Sequence, residues 1–249
     1  MTEKNSRKSK SRGKASQVHW PSVIVFDVDG VLVNVAGSFH RTTLETVKHF
    51  TGKNVTRAQL NQWKNRPGFN DDWKLSTAWV QSLGGKHEYD EVKAKFVGLY
   101  WGASGSGYVN DEKWLLPRTV LRRLAKYSEL AIFTGRTKRE MDHTFTRVPL
   151  REFFSQVITV ENVERPKPDP GGLLKILHGR DPGTALYVGD NVDDANAAKS
   201  AQVPFLGILH GGGKDRRQRA AILKELGALA ILHDIKELEA WLRRRARYS

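Results

Sequence analysis

Five short and nearly unbroken apolar runs punctuate this chain, at Val23–Phe26 and at residues 130–133, 157–160, 185–188 and 204–209. A strand that is apolar on both faces is stable only inside a sheet covered on both sides. Strands that alternate with helices pair in parallel through crossovers. The covering helices are legible as well. Leu121, Leu124 and Ala125 follow Pro117 at helical spacing, and Leu173, Leu174 and Leu177 follow Pro170. Near the end, Ile235, Leu238 and Leu242 form one stripe, with Asp234 and Glu237 spaced as a capping box. The pattern predicts an α/β fold with a doubly wound parallel sheet.

Residues 36–110 break that rhythm. Thr42, Leu44, Val47 and Phe50, then Leu60 and Trp63, then Trp79, Val80 and Leu83 follow helix-like patterns, with no convincing strand. We read an inserted helical module at 36–110, a core domain made of 18–35 and 111–249, and a basic tail at 1–17. The glycine-rich stretch 102–107 suits the hinge by which the chain returns to the sheet.

The formal charge of +14 invites a nucleic-acid reading. Its placement weakens that reading. Lys4, Arg7, Lys8, Lys10, Arg12 and Lys14 face only Glu3 in the tail, and Arg243, Arg244, Arg245 and Arg247 crowd the other end, so the body is only mildly basic. The tail reads as a solvated segment with at most a weak polyanion contact. No apolar run approaches the roughly 20 residues of a membrane span. With 0 cysteines there is neither a disulfide framework nor thiol catalysis, and a cytoplasmic location is the simpler expectation.

Asp27 and Asp29 follow directly on the first apolar run and precede Gly30, which sets two carboxylates at the carboxyl end of a buried strand. Open α/β sheets bind ligands at that end. Buried acids are costly there unless a cation or a substrate group uses them. Thr134, Gly135 and Arg136 follow the second core run in the same way, offering a hydroxyl and a backbone N–H. Lys167 stands between Pro166 and Pro168, which stiffen the backbone that carries it. Asp190 follows the run at 185–188, with Asp193 and Asp194 in the next turn, an oxygen-rich set of the kind that suits Mg²⁺.

In this order, Asp27-Val28-Asp29-Gly30-Val31, Thr134-Gly135-Arg136, Lys167-Pro168 and Gly189-Asp190-Asn191-Val192-Asp193-Asp194 closely resemble the four signature motifs of the haloacid dehalogenase (HAD) superfamily. The resemblance spans residues 22–240. The helical insertion between the first two motifs looks like the C1 cap of subfamily I, which contains phosphoglycolate-phosphatase-like and β-phosphoglucomutase-like enzymes. The resemblance implies a HAD-like Rossmannoid core under that cap, and a role for each motif. Asp27 would be the nucleophile that forms an aspartyl-phosphate, and Asp29 the general acid and base. Thr134, Gly135 and Lys167 would hold the phosphoryl group, with Thr134 and Lys167 also counted as catalytic. Mg²⁺ would sit on Asp27, Asp29 (through its backbone carbonyl), Asp190 and Asp194, with Asp193 their neighbour in the same turn. Members that break carbon–halogen or carbon–phosphorus bonds lack an acid at the position of Asp29, so its presence favours phosphate esters.

The expectation is therefore a Mg²⁺-dependent phosphatase for a small phosphorylated metabolite. A sugar phosphomutase, or a polyanion- or RNA-binding protein using the basic tails, is the alternative. Residues 63–73 are the candidate recognition segment of the cap, with Lys64, Arg66 and Asn70 as substrate-binding candidates and Trp73 otherwise a cap-core residue. The run His210-Gly211-Gly212-Gly213-Lys214 fails as a phosphate loop, because Ile208 stands where a glycine is needed and Asp215 where Ser or Thr is.

Overall fold

The computed structural model describes residues 20–247. The basic tail expected at 1–17 lies outside the described residues. Six parallel strands form the central sheet: β1 (Val23–Phe26), β4 (Glu129–Phe133), β5 (Gln156–Ile158), β6 (Ala185–Gly189), β7 (Phe205–Ile208) and β8 (Ile231–Leu232), in the order β5-β4-β1-β6-β7-β8. A separate antiparallel pair joins β2 (Val33–Asn34) to β3 (Lys113–Trp114). The α/β doubly wound class expected from the sequence is the one observed.

β1 is fully buried and pairs in parallel with β4 on one side and β6 on the other, which makes it the point where the winding reverses. Beyond the carboxyl end of such a strand the crossovers diverge and leave a crevice. Helices α5 (Arg118–Leu124), α6 (Lys138–Arg147), α7 (Gly171–Leu177), α8 (Val192–Ser200), α9 (Gly213–Glu225) and α10 (Leu238–Arg247) complete the core. One face of the sheet buries Ile24, Phe26, Leu130, Ile132 and Val188 against Leu121, Leu124, Leu238 and Leu242. The other buries Val23, Val25, Ala131 and Tyr187 against Leu173, Ile176, Ala197 and Leu223.

Between β2 and β3 the chain forms α1 (Phe39–Thr51), α2 (Arg57–Lys64), α3 (Asp72–Ser82) and α4 (Tyr89–Trp101). Val47, Leu60, Leu75, Trp79 and Val80 give this module a small core of its own, while Phe39, Phe96 and Tyr100 join the main core. Its ends are therefore seated on the sheet domain by apolar packing. Local signals start these helices. Thr56 and Gln59 close a capping box on α2, and the Asp71 carboxylate accepts the N–H groups of Trp73 and Lys74 at the start of α3.

Several details differ from the sequence expectation. The run at 157–160 is a strand only to Ile158, and Val160 begins a short 3-10 turn. Asp234 accepts the N–H of Lys236 and starts a 3-10 turn, Ile235–Glu237, rather than closing a capping box, so α10 begins only at Leu238. Gly102 and Gly107 fold back on one another so closely that a Cβ on Gly102 would lie 2.2 Å from the Gly107 nitrogen. The stretch is a tight reversal, and the module enters and leaves the core through the β2–β3 pair. Trp73 packs against the main core, not within the module's own.

Candidate active site

Asp27 extends β1 by donating its N–H to the Val188 carbonyl at 2.8 Å, which fixes its side chain at the crevice floor. Lys167 reaches the same spot, and its Nζ lies 2.8 Å from Asp27 Oδ1, 2.6 Å from Asp194 Oδ1 and 3.0 Å from the Tyr187 hydroxyl. Burial alone would favour a neutral amine, but Asp194 and Asp27 outweigh it and hold the Lys167 pKa above its ordinary value. Asp190 and Asp194 sit at the start of α8, where Asn191 caps the helix and Asp194 Oδ2 accepts the Asn191 N–H at 3.1 Å. A helix N-terminus favours negative charge, so the turn is suited to carry these acids.

Carboxylate oxygens of Asp27, Asp190 and Asp194 lie within 4.8 Å of one another. Burial first, and then the neighbouring Asp194, push Asp27 well above the usual carboxylate range, and Lys167 offsets only part of this. The same two causes push Asp190 up to about 7. The cluster is short of positive charge. Gly30 lets the chain close over it: its φ is 75°, and a Cβ there would lie 2.2 Å from Asp190 Oδ2.

Asp29 stands apart from that cluster. Its Oδ1 accepts from Arg136 Nε at 2.8 Å and lies 2.7 Å from Arg136 Nη2, so its side chain is tied to a cation rather than grouped with the other three acids. Arg136 is 1% exposed and also holds Glu112 through two bonds of 3.0 and 2.9 Å and Thr144 at 2.7 Å. Glu112 in turn accepts from Ser38 and Tyr100. Glu112 lies at the exit of the helical module, so this network links the module's base to Asp29. Sequence reasoning reached Arg136 only as the third residue of its motif. Nothing in the spacing pointed to Glu112, 24 residues away.

A cavity of about 270 Å³ opens above the cluster, lined among others by Asp27, Asp29, Gly135, Lys167 and Asp190 from the core and by Lys64, Asn70 and Asp72 from the module. Thr134 is buried beside it, and its hydroxyl accepts the Arg136 N–H at 3.2 Å. Asn70 faces the core: its Oδ1 accepts from Asn191 at 3.0 Å, and its amide nitrogen would lie 3.2 Å from a Cβ on Gly135. Lys64 lines the cavity with its charge committed to Asp72 at 2.9 Å. Arg66 corrects the expectation for it, since it is exposed, stacks 4.5 Å over the Trp63 ring and is absent from the cavity wall.

Asp193 has a different job from its neighbour Asp194. It is fully buried and accepts the N–H groups of Gly68, at 2.9 and 3.1 Å, and Asn70, at 3.2 Å. It therefore latches the module's Pro67-Gly68 turn to the core and stays outside the acidic trio. Glu140 also lines the cavity, and burial raises its carboxyl to about 7 against the pull of the Thr137 N–H. His40 and Arg219 also line the wall. The sequence reading singled out neither, because a lone histidine and a helix-surface arginine carry no motif. The glycine run at 211–213 leads into α9 and is not part of the cavity wall; it is α9 itself that brings Arg219 there.

Comparison with known proteins follows the same lines. The family model described as haloacid dehalogenase-like hydrolase matches residues 117–208. An imidazoleglycerol-phosphate dehydratase of Phytophthora nicotianae is 30% identical over 195 residues; the match takes in 75% of this chain but only 43% of that protein, so the chain spans less than half of that relative. A phosphoglycolate phosphatase of Pseudomonas putida is 25% identical over 220 residues, 84% of this chain and 78% of that one. Among solved structures, a haloacid dehalogenase-like family hydrolase of Streptococcus pneumoniae superposes with a TM-score of 0.69 at 20% identity, covering 89% of this chain and 98% of that one, a likeness of fold.

Proposed function

We propose that this chain is a haloacid dehalogenase-like hydrolase of the phosphoglycolate-phosphatase-like subfamily I, and that it is a Mg²⁺-dependent phosphatase hydrolysing a small organic phosphate monoester through an aspartyl-phosphate. One observation carries the reading. Asp27 lies at the floor of the cavity, held by Lys167 at 2.8 Å and grouped with Asp190 and Asp194 within 4.8 Å.

The donor set fits a hard divalent cation. Of the three carboxylates, two are pushed upward by burial and only Asp27 and Asp194 meet the Lys167 ammonium, and a small oxygen-preferring ion corrects that imbalance. Asp27, Asp190 and Asp194 would hold Mg²⁺, which when bound neutralises charge on the phosphoryl oxygens. Asp29 would join them only through its backbone carbonyl, since its carboxylate is held by Arg136.

The chain's own groups supply the rest. Lys167 holds Asp27 Oδ1 and so orients the carboxylate and leaves its other oxygen to attack phosphorus in line with the ester oxygen. The Asp27–phosphorus bond forms, the ester P–O bond breaks, and the leaving oxygen takes a proton from Asp29. Water then attacks the aspartyl-phosphate, Asp29 accepts its proton, and inorganic phosphate departs with Asp27 restored. Arg136 takes only Oδ1 of Asp29, which leaves the second oxygen for these transfers. The Gly135 N–H and the Lys167 ammonium receive the phosphoryl oxygens, and the helical module closes over the ester and keeps bulk water out.

Acid quench during turnover tests this reading. Mass spectrometry of the quenched protein is expected to find a phosphoryl group on the peptide that holds Asp27 and none in Asp27→Asn. Turnover with the label on another residue, or on none, contradicts the covalent route.

A further inference from the structure

We propose that the corner of the molecule built from Trp20, Tyr127 and α10, at the amino end of the sheet and opposite the active site, binds single-stranded nucleic acid. The inference stands independently of the phosphatase reading.

Strand pairing builds the corner. β1 and β4 run in register with Val23 beside Glu129, which sets the residues that enter the two strands next to each other. The Trp20 and Tyr127 rings stack there at 4.7 Å and 28°. The Arg243 guanidinium lies 5.8 Å from both ring centroids. Beside the stack a cavity of about 320 Å³ opens, lined by Trp20, Pro204, Leu229, Trp241 and Arg245 and by residues 183–186 at the start of β6. Arg245 lies over the Trp241 ring at 5.5 Å. Three large apolar side chains are exposed among the described residues, and two of them, Tyr127 at 52% and Leu229 at 43%, border this corner. Apolar surface exposed singly is ordinary, but gathered around a recess it marks an interaction site.

Charge decides the partner. Residues 118–128, which hold α5 and the turn after it, carry Arg118, Arg122, Arg123 and Lys126 and no acid. α10 carries Arg243, Arg244, Arg245 and Arg247 against Glu239. Arg123 and Arg243 both hold Glu239, at 2.7 and 2.9 Å, which fixes α10 against α5 and leaves two guanidiniums on one carboxylate. Arg122, Lys126 and Arg244 are exposed. The sequence before Trp20 adds Lys4, Arg7, Lys8, Lys10, Arg12 and Lys14 against Glu3, and it enters the fold at the aromatic stack.

An apolar peptide would use the rings without the cations, and a polyanion without bases the cations without the rings. A strand that alternates phosphates with planar bases uses both, with bases stacked on Tyr127 and Trp241 and phosphates on the arginines. A duplex hides its base faces in its own stack, so the unpaired strand is the form that fits. The aromatic groups frame a recess, which admits a flat ring and not a membrane laid across the surface.

Fluorescence anisotropy with the full-length protein tests this. The probes are labelled oligouridine RNA, oligothymidine DNA, an abasic strand of equal length and a DNA duplex. The base-bearing single strands are expected to bind at least fivefold more tightly than the abasic strand, and the tighter of the two identifies the strand as RNA or DNA. Tyr127→Ser is expected to remove most of that advantage and Tyr127→Phe to keep it. Tyr127 is more than half exposed, so its substitution does not threaten the fold. Each phosphate contact on a single strand contributes about 0.7 to the slope of log affinity against log salt, so Arg122→Gln, Lys126→Gln and Arg244→Gln together are expected to lower it by about 2. No binding, equal binding with and without bases, tighter binding of the duplex, or a slope unchanged by the three substitutions overturns the proposal. So does a preference for anionic phospholipid vesicles over the strands. Phosphate release by the Tyr127 variants is expected to match that of the unsubstituted protein, because Tyr127 precedes β4 and Asp27 follows β1, at opposite ends of the sheet.

Discussion

Arg136 holds two carboxylates from within the protein, with its side chain 0% exposed, and no other cation among the described residues is bonded to either Asp29 or Glu112. Removing one member of a buried ion pair leaves the other charged and unmatched, which typically costs about 3–5 kcal/mol. Arg136→Met is therefore expected to lower the unfolding free energy by about that much in urea titrations. Adding Glu112→Gln is expected to recover a substantial part, because the orphaned charge goes with it. Equal stability of the two variants would show that Glu112 is not what Arg136 serves. At this scale the sequence was informative in one direction only. Asp27, Lys167, Asp190 and Asp194 were legible because each follows a buried strand or a stiffened turn, and the structure brings all four together. Their partners were not legible. Glu112, Tyr187 and His40 meet the site through tertiary packing, which no local spacing encodes.

The turn that starts α8 divides its acids between two tasks. Asp194 faces Lys167 and the acidic trio, and Asp193, on the adjacent position, faces Gly68 and Asn70 of the helical module. Consecutive helix positions lie about 100° apart, so two neighbouring carboxylates can serve the core and the module at once. Asp193→Ala removes the acceptor for both module amides while leaving Asp194 in place. Hydrogen exchange at the Gly68 and Asn70 amides is expected to quicken by tenfold or more, with the core strands unchanged. Unchanged protection at both amides would mean that Asp193 does not hold the module down. Long elements with strong periodicity were read correctly, including five core strands and three of the four helices of the insertion, while α4 was not picked out. The two-residue strands β2, β3 and β8 were missed, since two residues carry no period. The Asp234 turn was misread because its carboxylate meets the second amide after it, a local choice that the spacing of Asp234 and Glu237 does not decide.

Across the whole molecule, the buried acids link stability to pH and to metal. Asp190 is pushed from an ordinary 3.8 up to about 7, and Glu140 from 4.5 up to about 7. Between those values the folded protein binds protons that the unfolded chain has released, so stability falls as pH rises, by up to about 1.4 kcal/mol per unit for each such group. Metal-free protein is expected to lose urea resistance between pH 5 and pH 7.5. Mg²⁺ is expected to restore it at the upper end, and Asp190→Asn to flatten the metal-free slope. A metal-free slope that rises over that range would contradict the burial of these acids. No described helix is long and apolar enough to cross a membrane. At the basic end, Arg243 is paired with Glu239 at 2.9 Å. The central claim is that Asp27, Lys167 and the acidic trio hydrolyse a phosphate monoester. Its most direct test is phosphate release from a panel of metabolite monoesters, with Mg²⁺ and with chelator, by the unsubstituted protein and by folded Asp27→Asn. The account predicts release from at least one ester that chelator abolishes and that Asp27→Asn lowers by about a thousandfold or more. Release that persists in Asp27→Asn, or that ignores the chelator, would contradict it.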